Sequence, residues 1–242
     1  MSYKRKILPQ EFKSGSELDN DLRAIGINLS STDISVDPNI EDALVAGSIE
    51  AINRNSGRIA SLLVDWITLH HSQINADRLT LLISVLPETE FKWVRIFWCA
   101  NAQRLKDRRF HRLASLYKRT IHFDYLDRDL NLRDEPSTSF LIQRNGEDER
   151  FKNTCLRVPN RVFAHRPNQI FSAEAIARKH LAFRFRIMMG STYRADMWAF
   201  LKRHDDAPAY AIAQNTYGSY ATAHEIKIAF DIVTNAQRKA AA

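Results

Sequence analysis

From residue 40 to residue 118, apolar side chains return at every third or fourth position, block after block. That spacing admits little except helices. An α-helix repeats every 3.6 residues or so and a strand every second one. Ile40, Leu44, Val45, Ile49 and Ile52 mark one stripe, and Ile59, Leu62, Leu63, Trp66, Ile67 and His70 a second. Leu79, Leu82, Ile83 and Leu86 give a third; Phe91, Val94, Trp98 and Ala102, with Phe97 beside them, give a fourth. Residues 106–118 alternate Arg108, Arg109 and Arg112 with Phe110, Leu113, Leu116 and Tyr117, which predicts a fifth. Asp37-Pro38 reads as the start of the first helix, with Asp37 capping its free N–H groups. Asn55-Ser56-Gly57 breaks that helix, Asn75 caps the third and Pro87 ends it. Seven Gly and seven Pro in 242 residues argue against a turn-dense β fold.

The flanks read differently. Residues 1–36 are polar and irregular and predict a loose arm. After 120 the period changes: 139–143 reads as a strand before an Asn145-Gly146 turn, and 156–158 and 162–164 as short extended pieces. Ser172 caps a long helix that runs to about 189, where Gly190 stops it. Three further helices follow, 193–203, 209–215 and 220–233, opened by Ser191, Pro208 and Ser219. The expected fold is mainly α: a polar arm (1–36), a multi-helix domain (37–120), an irregular connector with a few short strands (121–171), and a long helix plus a C-terminal trihelical unit (172–242). Cys99 and Cys155 are too few for a zinc site or a disulfide framework, and a reduced, cytoplasmic protein is expected. No apolar run reaches about 18 residues, so no membrane span is expected.

Charge is unevenly spread. Residues 1–90 hold 8 Lys+Arg against 13 Asp+Glu, residues 91–190 hold 21 against 10, and residues 191–242 hold 6 against 5. The middle of the chain therefore carries the excess, as a phosphate-binding surface would. One candidate patch is Arg104, Lys106, Arg108, Arg109 and Arg112. A second is Arg178, Lys179, Arg184 and Arg186, on the helix leading into the C-terminal unit.

The C-terminal stretch resembles the helix-turn-helix and winged-helix DNA-binding families. The resemblance rests on Arg194-Ala195-Asp196-Met197-Trp198-Ala199-Phe200-Leu201, Ala211-Ile212-Ala213-Gln214-Asn215 and Ser219-Tyr220-Ala221-Thr222-Ala223-His224-Glu225-Ile226. Ala213 is small where two helices cross, and Ala223 and Ile226 return to a core. The family's turn glycine falls at Tyr217; a left-handed backbone there would be strained, and a shifted turn would use Gly218 instead. The resemblance implies that the front of the last helix enters the major groove. Ser219, Tyr220, Thr222 and His224 would then face duplex DNA, with Lys227 near phosphate. It also implies a transcriptional regulator or antitoxin-like repressor, with the N-terminal helical domain as a partner or dimerisation module and no cofactor.

Two other classes are weighed beside it. One is a helical protein-interaction module whose C-terminal unit is only packing. The other is a metal-dependent nuclease or nucleotidyltransferase. Its candidates are the acidic cluster Asp124, Asp127, Asp129, Asp134 and Glu135, the Gly190-Ser191 pair with Asp196, and Asp206 with Glu225-x-Lys227. The last two sets sit on apparent helices where such chemistry needs other geometry. His70-His71 are neighbours pointing about 100° apart on a helix, a poor chelate. Cys99 beside Trp98 reads as core. No catalytic or metal-ligating residue is expected.

Overall fold

The computed structural model describes residues 4–30, 33–53, 56–117, 124–126, 132–133 and 137–241. It is mainly helical. The first half contains α1 (Gly15–Ala24), α2 (Ile40–Asn53), α3 (Gly57–His70), α4 (Ala76–Val85), α5 (Glu88–Leu105) and α6 (His111–Ala114). Three short strands follow, β1 (Asp124–Leu126), β2 (Leu132–Arg133) and, after α7 (Ser137–Asn145), β3 (Leu156–Arg157). Strand β1 lies between the other two, antiparallel to β2 and parallel to β3. The chain closes with α8 (Ala173–Lys179), α9 (Leu181–Met189), α10 (Tyr193–Leu201), α11 (Ala209–Thr216) and α12 (Tyr220–Ala241).

The apolar stripes of α2 to α5 meet in one large core, to which Phe151, Leu156, Phe163, Ile176 and Phe183 also contribute. Its two central tryptophans are anchored through their indole N–H groups, as buried donors must be. Trp66 donates to the Ile25 carbonyl (2.8 Å) and Trp98 to Ser48 Oγ (3.0 Å). A second, separate core belongs to the C-terminal unit: Met197, Leu201, Ile212, Ala213, Ala223, Ile226 and Phe230.

Four expectations are corrected. Residues 1–36 are not simply an arm, because α1 buries Leu18 and Leu22, and Ile25, Ile27 and Leu29 follow them into the large core. Residues 139–143 lie in helix α7, which ends at Gly146 instead of turning a hairpin. The expected helix over 106–118 shrinks to a 3-10 turn, Arg108–Phe110, running into the four residues of α6. The long helix of 172–189 is two helices, broken at His180, whose backbone is extended.

The break at His180 is made by tertiary partners. The imidazole Nδ1 accepts the Phe183 N–H (3.1 Å) and so caps α9, while Nε2 donates to the Pro38 carbonyl (3.1 Å). Asp37 does not cap α2, whose cap is Asn39. It instead takes the left-handed backbone (φ 46°) and accepts the Leu181 N–H at 2.7 Å.

Between the two cores lies a polar seam, and Arg186 is its centre. The side chain is buried, with about 1% exposure. Every guanidinium N–H has an acceptor. Nε and Nη2 hold Asp196, Nη1 and Nη2 hold Glu41, and Nη1 also reaches the Gln73 carbonyl. Glu41 in turn accepts the Asn75 N–H (2.8 Å) at the start of α4. Four elements (α2, α4, α9 and α10) thus meet at one cation. Burial alone would lower the pKa of Arg186; Asp196 and Glu41 beside it reverse the sign and hold it above its ordinary value.

Removing the cation strands two buried carboxylates, a loss that typically costs about 3–5 kcal/mol. Arg186→Ala should therefore lower urea-unfolding stability by that order, and a loss under about 1 kcal/mol would contradict the arrangement. A second prediction concerns acid. Burial, helped by nearby Arg186, pulls the His180 pKa down to about 3 from an ordinary 6.5. The unfolded chain takes up its proton near 6.5, so the contribution of neutral His180 is complete above that pH and drains away as pH falls toward 3. His180→Asn keeps a helix cap without the titration. Below pH 6.5 the stability difference should move against the wild type by about 1.4 kcal/mol per pH unit. Parallel pH profiles of the two proteins would contradict it.

Candidate functional site

The C-terminal unit is positioned by its own core and by one unusual residue. Tyr217 follows α11 in the left-handed conformation (φ 59°, ψ 19°). For an L-residue with a bulky side chain this costs roughly 1–2 kcal/mol. The expected shift of the turn to Gly218 does not occur; Tyr217 bears the strain because its side chain is held on every side. The Arg78 guanidinium lies 3.6 Å from the ring centre and Lys6 Nζ 5.4 Å from it. The phenol donates to Asp42, and the Tyr217 carbonyl accepts Arg5 Nε at 2.7 Å. Arg78 is itself buried and pairs with Asp42 at 2.6 Å. A desolvated cation–π contact contributes about 2 kcal/mol, enough to offset the backbone cost. Burial first and Asp42 second raise the phenol pKa, so the hydroxyl keeps its proton and remains a donor.

Gly218 serves a different need. A Cβ there would stand 2.1 Å from Met197 Cε, in the middle of the small core. The glycine lets α12 start close against α10.

Past the turn, Ser219 Oγ accepts the Thr222 N–H (3.1 Å) and shares a hydrogen bond with Thr222 Oγ1 (2.8 Å), which caps α12. Two of the predicted DNA-facing residues are therefore engaged in holding the helix end. Tyr220 and His224 project from that end. Tyr220 is 45% exposed, and the two rings stack with centres 6.3 Å apart. Glu225 is exposed beside them. Lys227 is tied down, donating to the Asp205 carbonyl (2.6 Å) and pairing with Asp231 (2.9 Å).

The predicted phosphate-gripping residues divide sharply. Arg186 is a correction: enclosed by Glu41 and Asp196, it has no path to a phosphate. Arg104 is another, since it turns inward onto Asn101, Thr68 and the Val64 carbonyl, and burial pulls its pKa down to about 10. Arg184 folds back to the Ala177 and Arg178 carbonyls, closing the end of α8. Arg109 holds Asp107 and the His71 and Ser72 carbonyls. Arg108, Arg112, Arg178 and Lys179 are exposed. Ser191, expected as a cap, donates instead to the Ser72 carbonyl. Arg109 donates to the same carbonyl at 3.1 Å, so the 108–112 stretch and the start of the C-terminal unit meet there.

Of the residues weighed for metal chemistry, Asp127, Asp129, Asp134 and Glu135 lie outside the described residues, and Asp124 opens β1. Asp196 belongs to Arg186. Among the described residues no three His, Cys, Asp or Glu side chains are grouped to hold a metal ion. His70 Nε2 bonds the Phe171 carbonyl at 2.9 Å and burial lowers its pKa; burial pushes the Cys99 thiol up to about 11. Among the same residues no helix is long and apolar enough to cross a membrane. A cavity of about 520 Å³ opens in the seam between the two cores, with Asp37, Arg203, His204 and Asn215 on its walls. Comparison with protein-family models, with curated proteins and with solved structures finds no match.

Gly218→Ala should cost under about 1.5 kcal/mol in urea unfolding, because the atom its Cβ meets is the far end of the flexible Met197 side chain, which can swing aside. Tyr217→Gly relieves the backbone strain yet should still destabilise, because Arg78 loses its ring and Asp42 its phenol donor. A Tyr217→Gly protein more stable than wild type in urea unfolding would refute this balance.

Proposed function

We propose that the protein binds duplex DNA through the leading end of α12, as a transcriptional regulator or antitoxin-like repressor acting in the cytoplasm. The observation that carries the reading is the exposed Tyr220–His224 pair, one helical turn apart. It stands on a capped helix end, braced by a short preceding helix and a tight turn. A helix of that width fits a major groove about 12 Å across, and aromatic and imidazole edges at its front reach base edges there. Helix α12 has 22 residues, about 33 Å; its first three turns pack Ala223, Ile226 and Phe230 into the small core, while Tyr220 and His224 lie on another, exposed face of the same turns. With Arg186 and Arg104 withdrawn inside, phosphate contact falls to the exposed Arg108, Arg112, Arg178 and Lys179.

One observation favours a second reading, a protein-interaction module. Ile187, Met188 and Met189 are consecutive exposed apolar residues on α9, and Ile228, Ile232 and Val233 are exposed on α12. Such faces suit a protein partner or a second copy.

The test is a duplex selected from a random pool, titrated between roughly 50 and 200 mM salt. About four neutralised phosphates predict a loss of roughly a hundredfold over that range. Tyr220→Ala should cut the preference for the selected duplex over a scrambled one by about tenfold. Absence of binding to any duplex at the lowest salt would overturn the proposal and leave the interaction module standing.

A further inference from the structure

A shallow groove of about 530 Å³ lies between α4, α6, the N-terminal segment and the start of α10. Its polar walls are Arg5, Arg112, Thr80, Ser84, Ser115 and Tyr193. Two guanidiniums and the Thr80 and Tyr193 hydroxyls are on residues that line it, against the single carboxylate of Asp77, while the Ser84 and Ser115 hydroxyls donate to the Leu81 and Arg112 carbonyls. The Arg112 side chain is exposed, and among the described residues it has neither an ion pair nor a hydrogen-bond partner. Arg5 is held in place: its guanidinium sits 4.5 Å from the Tyr193 ring centre, and its Nε donates to the Tyr217 carbonyl. Lys4 and Lys6 flank it in the chain.

This placement joins two parts of the molecule that sequence alone keeps apart. Arg5 touches the turn that leads into α12, and Tyr220 stands three residues beyond Tyr217. Tyr217 and Tyr220 are at most about 10 Å apart along the chain, so the Arg5 end of the groove lies near the front of α12. The backbone bordering a major groove about 12 Å wide runs at that range from a helix lying within it. Guanidiniums and hydroxyls are the groups that grip phosphate oxygens, in two-pronged fashion for arginine.

We infer that this groove, built by the N-terminal segment, α4 and α6, is a phosphodiester-binding site that grips the DNA backbone beside the groove entered by α12. The inference rests on the DNA reading of α12 and adds to it. The body of the protein is then part of the DNA-binding surface, and the basic N-terminal residues link body and reading helix.

The experiment compares wild type, Arg112→Ala, Arg112→Lys, Ser84→Glu and Tyr220→Ala, each checked by thermal melting, on the selected and scrambled duplexes across the salt range. Arg112→Ala should weaken binding to both duplexes equally, by about three- to tenfold, and reduce the slope of log K on log salt by about one. Arg112→Lys should restore the slope, and Ser84→Glu, which puts an anion in the groove, should weaken both duplexes further. If Arg112→Ala and Ser84→Glu bind like wild type while Tyr220→Ala still loses sequence preference, the groove is overturned and the α12 reading stands. If wild type binds no duplex, both fall. A third arm titrates ATP without DNA. ATP binding that Arg112→Ala abolishes, with duplex affinity unchanged, would overturn the backbone assignment in favour of a free nucleotide.

Discussion

Arg186 is the point on which the two halves of this chain are joined. Its five N–H groups leave no acceptor to chance: two carboxylates from different helices and one backbone carbonyl take them all. Buried ion pairs of this kind are weak contributors to net stability, yet removing one partner strands charge in an apolar medium, which ties together the elements that carry them. Here the tie is the attachment of the small C-terminal core to the large N-terminal one. The two hydrophobic cores are separate, and between them the Phe185–Trp198 ring contact (centres 6.5 Å apart) stands beside the polar groups that set direction and register. The Arg78–Asp42–Tyr217 cluster repeats the device a short distance away. Asp42 neighbours Glu41 on α2, so one helix supplies an anion to each cluster.

That arrangement explains a turn that looks wrong on paper. A tyrosine in the left-handed region is expensive, and a glycine stands one residue later. The cost is met because the side chain is needed where it is, as the lid over Arg78 and the donor to Asp42. Gly218 is free to solve a packing problem, the close approach of α12 to α10. Two adjacent residues thus exchange the duties that a simple turn rule would assign them.

Much of the fold was legible from the chain. The stripes in α2 to α5 are long, clean and bounded by Asn75 and Pro87, and a 3.6 period of that length has one solution. The break between the helices that end near residue 203 and begin at 209, and the helices on either side of Tyr217, are equally readable, though the first of them stops at Leu201. What escaped notice depended on distant partners. Nothing local marks His180 as a helix break, since the Pro38 carbonyl and Asp37 that create it lie over 140 positions away. Helix α1 did carry a signal, Leu18, Leu22 and Ile25 at helical spacing, masked by the polar residues between them. Arg186 read as a phosphate ligand because sequence gives charge but not burial. The clue lay with its partners: Glu41 sits within an apolar stripe, and Asp196 is the one acid in α10, set between Ala195 and Met197. Tyr220 and His224 were placed at the helix front from cap and spacing alone. The Arg5–Tyr217 contact, by contrast, joins residues 212 positions apart and had no local trace.

The polar seam also bears on how portable the last fifty residues are. A chain cut at Gly190 would separate Asp196 from Arg186 and deprive Tyr217 of Arg78, Asp42 and Arg5 together. The excised piece would keep its hydrophobic centre but expose an acid and a phenol shaped for absent neighbours, and the remainder would bury Arg186 with one anion missing. A graft of this unit onto another protein would have to carry a matching acceptor surface with it. The three helices are modular in their packing and indivisible in their electrostatics.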